Sequence, residues 1–240
     1  RSSDLAYDPA FAYEIALIVR DGIRRMFIEG ENIFYYLTIM NETYPQPAMP
    51  NGVEEGVLRG IYRFRKNEKG KKAKAHLLGS GAILNEALKA QRLLADDFDI
   101  PADVWSVTSY KELYRDCNET GRWNRRHPVE EPQSSFMQTA FNDAGADGKA
   151  VYVAATDYLR ALPSTVAPWV PGKFCVLGTD GFGRSDTREM LRDFFEVDAK
   201  NIALAALKAL ADEGDIDAVT VADAVTRYEI DADRPDPSTG

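Results

Sequence analysis

The hydrophobic positions of this chain alternate between helical and strand-like spacing. Across residues 9–28, Phe11, Ile15, Ile18, Val19 and Met26 recur at steps of three, four or seven. Arg20, Asp21, Arg24 and Arg25 fall among them, so the pattern predicts an amphipathic helix. Asp8-Pro9 supplies an N-cap and a first-turn proline, and Gly30 a stop. Ile33 to Met40 is apolar, aromatic and β-branched, and reads as a buried parallel strand. One helix and one strand are too little for a domain. They read as the last αβ unit of a sheet whose other strands lie upstream.

Three prolines between Tyr44 and Gly52 block helix and central strand alike and predict an extended linker. Glu54 to Phe64 reads as a short amphipathic piece bridging two units. Lys66 to Lys72 is a basic loop, read as a solvated turn. A second unit starts at Ala73, with strands expected at 74–79, 103–108, 150–155 and 173–178. Ile83, Leu84, Ala87, Leu88 and Leu94 mark a helix over 82–95. Ile202, Ala206 and Leu210 mark another, capped by Asp198 and stopped by Gly214. Asp217 opens a last helix through Tyr228. Strands alternating with helices at this spacing predict an α/β fold with an open, mostly parallel sheet. The tail 231–240, with two prolines, reads as frayed.

Composition narrows the function. The 240 residues are 45% hydrophobic and 28% charged, ordinary for a globular chain. A net charge of −9 argues against nucleic acid and anionic lipid as partners. The two cysteines, Cys117 and Cys175, form no metal or disulfide framework and suggest a reducing compartment. No apolar run is long enough to span a bilayer. The start carries neither an initiator Met nor a signal-like segment, which points to a fragment.

Gly79-Ser80-Gly81 follows a strand, but a dinucleotide fingerprint needs a third glycine where Leu84 stands. These glycines therefore read as a tight turn into a helix. His76 sits in a strand as a packed residue and His127 precedes Pro128 in a polar loop; neither has a catalytic neighbour at a recognisable spacing. Gly178-Thr179-Asp180-Gly181-Phe182-Gly183-Arg184-Ser185-Asp186 lies where open α/β sheets usually place ligands. It reads as a loop packing on a neighbouring domain or subunit, with Phe182 as buried anchor and Arg184 pairing across. Ser185 or Asp186 would cap the next helix.

That loop, together with Tyr7-Asp8-Pro9-Ala10-Phe11-Ala12-Tyr13-Glu14, Tyr35 to Tyr44 and Pro47-Ala48-Met49-Pro50, resembles the C-terminal portion of the bacterial homodimeric pyruvate dehydrogenase E1 family, transketolase-like and thiamine-diphosphate-dependent. Gly60-Ile61-Tyr62, Asp103 to Ser109 and Asp231-Ala232-Asp233 extend the resemblance over nearly the whole chain. It implies a transketolase C-terminal-like sheet with helices on both faces, preceded by the last αβ unit of the pyrimidine-binding domain. The implied boundaries are 1–43 for that unit, 44–72 for the linker, 73–230 for the C-terminal domain and 231–240 for the tail.

The resemblance also implies a parent enzyme that decarboxylates pyruvate on thiamine diphosphate and reductively acetylates the lipoyl group of the E2 dihydrolipoamide acetyltransferase. Thiamine diphosphate and Mg²⁺ would be bound mainly outside this chain. No catalytic, cofactor or metal residue is expected within it, and one catalytic histidine is expected just before residue 1. The chain alone would be inactive, supporting a homodimer and the mouth of the substrate channel in a bacterial cytoplasm. Asn41, Glu42 and Phe11 are the candidates beside that channel; Asp180, Phe182, Arg184 and Asp186 are the candidates for interface contact. Sugar-using transketolases read R-P-A-D-x-N-E and S-R-Q at the corresponding places. Here Pro9, Ala10 and Glu14 match, while Asp8 replaces the first Arg, Phe11 the Asp that touches a sugar hydroxyl and Glu42 the Arg that holds a sugar phosphate, which fits pyruvate. The alternative from another class is a non-catalytic α/β binding or subunit-interaction module.

Overall fold

A computed structural model describes residues 4–239. Two strands open the chain: β1 (Asp4–Tyr7) and β2 (Phe34–Leu37) pair in parallel, Leu5 opposite Tyr35. Helix α1 (Ala12–Ile23) connects them and runs on into a π-helical turn, Arg24–Ile28. The first helix therefore starts three residues later than its periodicity predicts. Asp8-Pro9 does not cap it. Glu14 reaches back instead, accepting from the Ala10 and Phe11 amides at 2.5 and 3.0 Å. The strand expected to be buried on both faces is half-buried, with Phe34 and Tyr36 exposed.

The stretch read as one amphipathic piece is helix α2 (Glu54–Arg59) followed by strand β3 (Ile61–Arg65). The remaining strands are β4 (Ala75–Gly79), β5 (Ala102–Val107), β6 (Val151–Ala155) and β7 (Lys173–Leu177). They form one five-stranded sheet in the order β3-β5-β4-β6-β7, antiparallel only at the β3 edge. β4, β5 and β6 are buried at every position, as parallel strands covered on both sides must be. Gly79 faces Leu84 so closely that a Cβ would stand 2.6 Å from its Cα, so the glycine is needed for the turn into the next helix.

One face is covered by α3 (Leu84–Phe98), α8 (Ala199–Asp212) and α9 (Ala218–Arg227), whose Leu94, Ile202, Ala206 and Leu210 join the larger core. The other is covered by α4 (Tyr110–Arg126) and α5 (Phe136–Asp143), through Leu113, Cys117, Met137 and Phe141. Short helices α6 (Ala161–Ser164) and α7 (Arg188–Phe194) flank β7. Ser109, Ser135 and Asp198 cap α4, α5 and α8, accepting from the amides of Glu112, Gln138 and Asn201. Thr187, rather than Ser185 or Asp186, caps α7.

His76 packs as its sequence position predicts. It stacks on Tyr152 and accepts at Nδ1 from the Trp105 indole, 3.1 Å away. Its proton therefore sits on Nε2, buried without a partner among the described residues. Burial pushes the imidazole down to about 4.

The tail corrects the reading of frayed chain. Arg234 donates to the Asp193 carbonyl at 2.8 Å and lies 3.0 Å from its carboxylate. Pro237–Thr239 forms a 3₁₀ turn against the 178–186 loop.

Candidate functional site

The order of strands reverses between β4 and β6, which defines the crevice where this class of sheet places ligands. Ser80 and Thr156, at the ends of those two strands, bridge it with a 2.9 Å hydrogen bond. The crevice is filled from within. The Asp8 amide donates to Thr108 O at 2.7 Å, and Gly81 donates to Asp8 O at 3.0 Å. The Asp8 carboxylate accepts from Thr38 at 2.5 Å and from Tyr158 at 3.0 Å. Burial still pushes this carboxyl above its ordinary range against both bonds. The β1–α1 connection thus behaves as the crevice's own ligand.

Glu14 locks that plug in place. Its fully buried carboxylate accepts from Tyr62 and Ser106, each at 2.6 Å, on β3 and β5 of the larger sheet. Tyr13 and Tyr62 share a further 2.5 Å contact. Four donors on one carboxylate tie the two sheets together.

A second junction gathers residues that the sequence places far apart. Arg192 of α7 grips Glu42 through two bonds, 2.5 and 3.1 Å, and reaches Glu86 of α3 at 3.4 Å. Arg188, one turn earlier, donates to the side chain and carbonyl of Asn41 at 2.5 and 3.1 Å. Asp157, at the end of β6, faces this cluster. Burial drives its carboxyl up to about 6, against the pull of Arg192 and reinforced by Glu42, Glu86 and Asp8.

Asn41 and Glu42 therefore sit beside the helix that follows the 178–186 loop, and the structure joins two stretches that the sequence presents separately. Phe11 is only 2% exposed. It is packed among Tyr13, Tyr44 and Phe64 and fills the seam instead of facing an opening. Phe182 is 83% exposed and anchors nothing within this chain. Asp180 forms an ion pair with Arg160 of the same chain. Arg184 lies over the Phe194 ring, 4.0 Å from its centroid, and Asp186 accepts from the Thr187 amide at 2.7 Å. Arg188, Arg192, Glu86 and Asp157 were not singled out by the sequence. Only the i,i+4 spacing of the two arginines could have suggested a shared target.

The tail closes the loop from above. Gly181 has φ +102°, and a Cβ there would stand 2.6 Å from Pro237 O.

Residues 60–198 match the family described as transketolase-like TK C-terminal domain, and the chain belongs to that family. Residues 2–47 match the pyruvate dehydrogenase E1 component middle domain. Among curated proteins, the chain is 49% identical over 232 residues to the pyruvate dehydrogenase E1 component of Pseudomonas aeruginosa, covering 96% of this chain and 26% of that protein. It is 48% identical over 235 residues to that of Escherichia coli K12, covering 97% and 26%. The chain thus resembles the C-terminal portion of these E1 components and spans about a quarter of their length. Transketolases share the fold. One from Pichia stipitis superposes with a TM-score of 0.60 at 15% identity, over 89% of this chain and 26% of that one. One from Campylobacter jejuni gives 0.59 at 14% identity, over 86% and 26%.

The described residues do not suit a diphosphate with its Mg²⁺. They contain no group of three His, Cys, Asp or Glu side chains able to hold a metal ion, and backbone fills the ligand crevice.

Proposed function

We propose that this chain is the C-terminal part of a pyruvate dehydrogenase E1 component. The parent would decarboxylate pyruvate on thiamine diphosphate, with Mg²⁺, and reductively acetylate the lipoyl group of the E2 acetyltransferase in a bacterial cytoplasm. The cofactor supplies the carbanion chemistry and is held by residues outside this chain. The observation that carries the reading is the filled crevice, set beside relatives nearly half identical over almost the whole chain. A domain whose own ligand site is occupied by backbone is suited to support rather than chemistry.

In this reading residues 1–43 close the pyrimidine-binding domain, 44–72 link it to the C-terminal domain at 73–230, and 231–240 form the tail. Asn41 and Glu42 lie near the mouth of the substrate channel. Glu42, already neutralised by Arg192, offers no site for a sugar phosphate. Asp180, Phe182, Arg184 and Asp186 present a loop to the second subunit of a homodimer, with exposed Phe182 as its anchor. The parent polypeptide, given pyruvate and thiamine diphosphate, should acetylate a free lipoyl domain. No transfer, or transfer without the cofactor, would overturn the reading.

A further inference from the structure

An open cavity of about 240 Å³ lies beside the filled crevice. It is one strand further along, where β6 and β7 end. Parallel sheets hold ligands outside these carboxyl ends. Asp157 lines it just after β6 and Thr179 just after β7. Arg184 lines it from the glycine-rich loop, and Leu191 and Arg192 from α7. The volume is the share of roughly eight water molecules, room for a molecule the size of alanine.

Two of the three charged groups around it lack a counter-charge. Arg192 is committed to Glu42 and Glu86. The Asp157 carboxylate has neither an ion pair nor a hydrogen-bond donor among the described residues. Only its main-chain carbonyl is used, accepting from the Thr179 hydroxyl at 2.6 Å. Asp157 is partly buried, and its oxygens are not sealed from solvent. Arg184 likewise has no carboxylate partner among the described residues. Its guanidinium lies over the Phe194 ring, a contact that uses its face and leaves its N–H edge. Burial raises the Asp157 carboxyl even against the pull of Arg192. A charge that costs the fold stability and faces a cavity is the mark of a ligand site.

One carboxylate and one guanidinium thus stand unpaired around a single small cavity. A simple cation would meet two arginines there, and a simple anion would meet Asp157. A molecule carrying both charges satisfies each group. We propose that this cavity binds a small zwitterion of the amino-acid type, with its ammonium on the Asp157 carboxylate and its carboxylate on Arg184. Arg184 packs on Phe194 of its own chain, so it can hold a ligand beside a subunit contact anchored by Phe182.

The probe is L-alanine, titrated calorimetrically into the parent enzyme at pH 8, where Asp157 is ionised. Saturable binding of one molecule per chain is expected. Ethylamine, which lacks the carboxylate, should bind about tenfold or more weakly, the loss of one charged hydrogen bond. Asp157→Asn removes a charge that the fold disfavours, so this variant should fold. It should weaken alanine binding by about tenfold or more. Glu189→Gln, exposed on α7 and outside the cavity, should change it by less than about threefold. The measurement needs no turnover, so its outcome is independent of the pyruvate reading. No saturation overturns the proposal, including the case where the second subunit of the parent fills the cavity. An unchanged dissociation constant in Asp157→Asn overturns it, since alanine then binds elsewhere. Equal losses in both variants, or ethylamine binding as tightly as alanine, overturn it too.

Discussion

Arg192 and Glu42 stand 150 residues apart in sequence and meet in a two-pronged ion pair, Nη2 to Oε2 at 2.5 Å and Nη1 to Oε1 at 3.1 Å. The pair joins the end of the first parallel strand pair to the helix behind the glycine-rich loop. Arg192 is only 11% exposed, and Glu86 and Asp157 share its charge. Replacing it strips Glu42 of its two-pronged partner and leaves only the more exposed Arg188, 3.7 Å from Glu42, and Lys89, 2.8 Å from Glu86.

Arg192→Ala should therefore destabilise the fold by about 1–2 kcal/mol, less than the cost of stripping one partner from a fully buried pair because this one is partly exposed. Urea unfolding of the purified chain checks this. A loss below about 0.5 kcal/mol would mean that the junction is ornamental.

Asp157 should show the reverse sign. Its folded pKa, about 6, lies above its ordinary 3.8, so its ionised form is disfavoured by the fold. Its contribution to stability improves as pH falls from 6 towards 3.8, and at pH 8 the ionised group is a burden. Asp157→Asn should stabilise the chain by about 1–2 kcal/mol at pH 8, and the gain should fade below pH 6. Paired melting curves at pH 8 and pH 5 test the crossover.

His76 acts the other way at acid pH. Its folded pKa of about 4 lies below the ordinary 6.5, so the unfolded chain takes up the proton first. Stability is complete above pH 6.5 and declines as pH falls towards 4, by up to on the order of 3 kcal/mol. His76→Gln should flatten this acid limb while lowering stability at neutral pH, because the Trp105 indole and the stack on Tyr152 are disturbed. An unchanged slope between pH 4 and 6.5 would show that another group governs it.

Much of this fold was legible because parallel strands buried on both sides must be apolar throughout. Ala75–Gly79, but for His76, and Val151–Ala155 declare themselves in that way, while Lys173–Leu177 is a half-buried edge strand legible from its run Phe174 to Leu177. β3 was hidden because its alternating Tyr62, Arg63, Phe64 and Arg65 merge with the helix before it. α4 was hidden because Tyr110–Arg126 is strongly polar and is held by a serine cap and a narrow stripe of Leu113 and Cys117. At the site, the 178–186 loop stood out as a contact surface, and Asn41 and Glu42 stood out through the family resemblance. The arginines that unite them did not, since a charge pair across 150 residues leaves no local pattern. Phe11 stood out by its place in a conspicuous motif, and within this chain its ring packs among three others.

The tail makes a prediction of its own. Gly181→Ala would place a methyl 2.6 Å from Pro237 O at φ +102°, a conformation alanine resists. The loop or the tail must then move. Hydrogen exchange at the Thr239 amide, which donates to Asp236 O at 3.0 Å while the tail turn is folded, should accelerate about tenfold or more, with little change in global melting. Equal exchange rates would separate the tail from the loop.

The most direct measurement is pyruvate turnover by the parent enzyme and its Arg184→Ala variant, each assayed across a range of enzyme concentrations with the oligomeric mass recorded. If these residues hold the enzyme together and take no part in bond making, the variant's dimer should weaken. Its kcat should then return to that of the unmodified enzyme once it is fully dimeric. A fully dimeric variant with kcat still reduced about a hundredfold, or one whose dimer is as tight as before, would contradict the account.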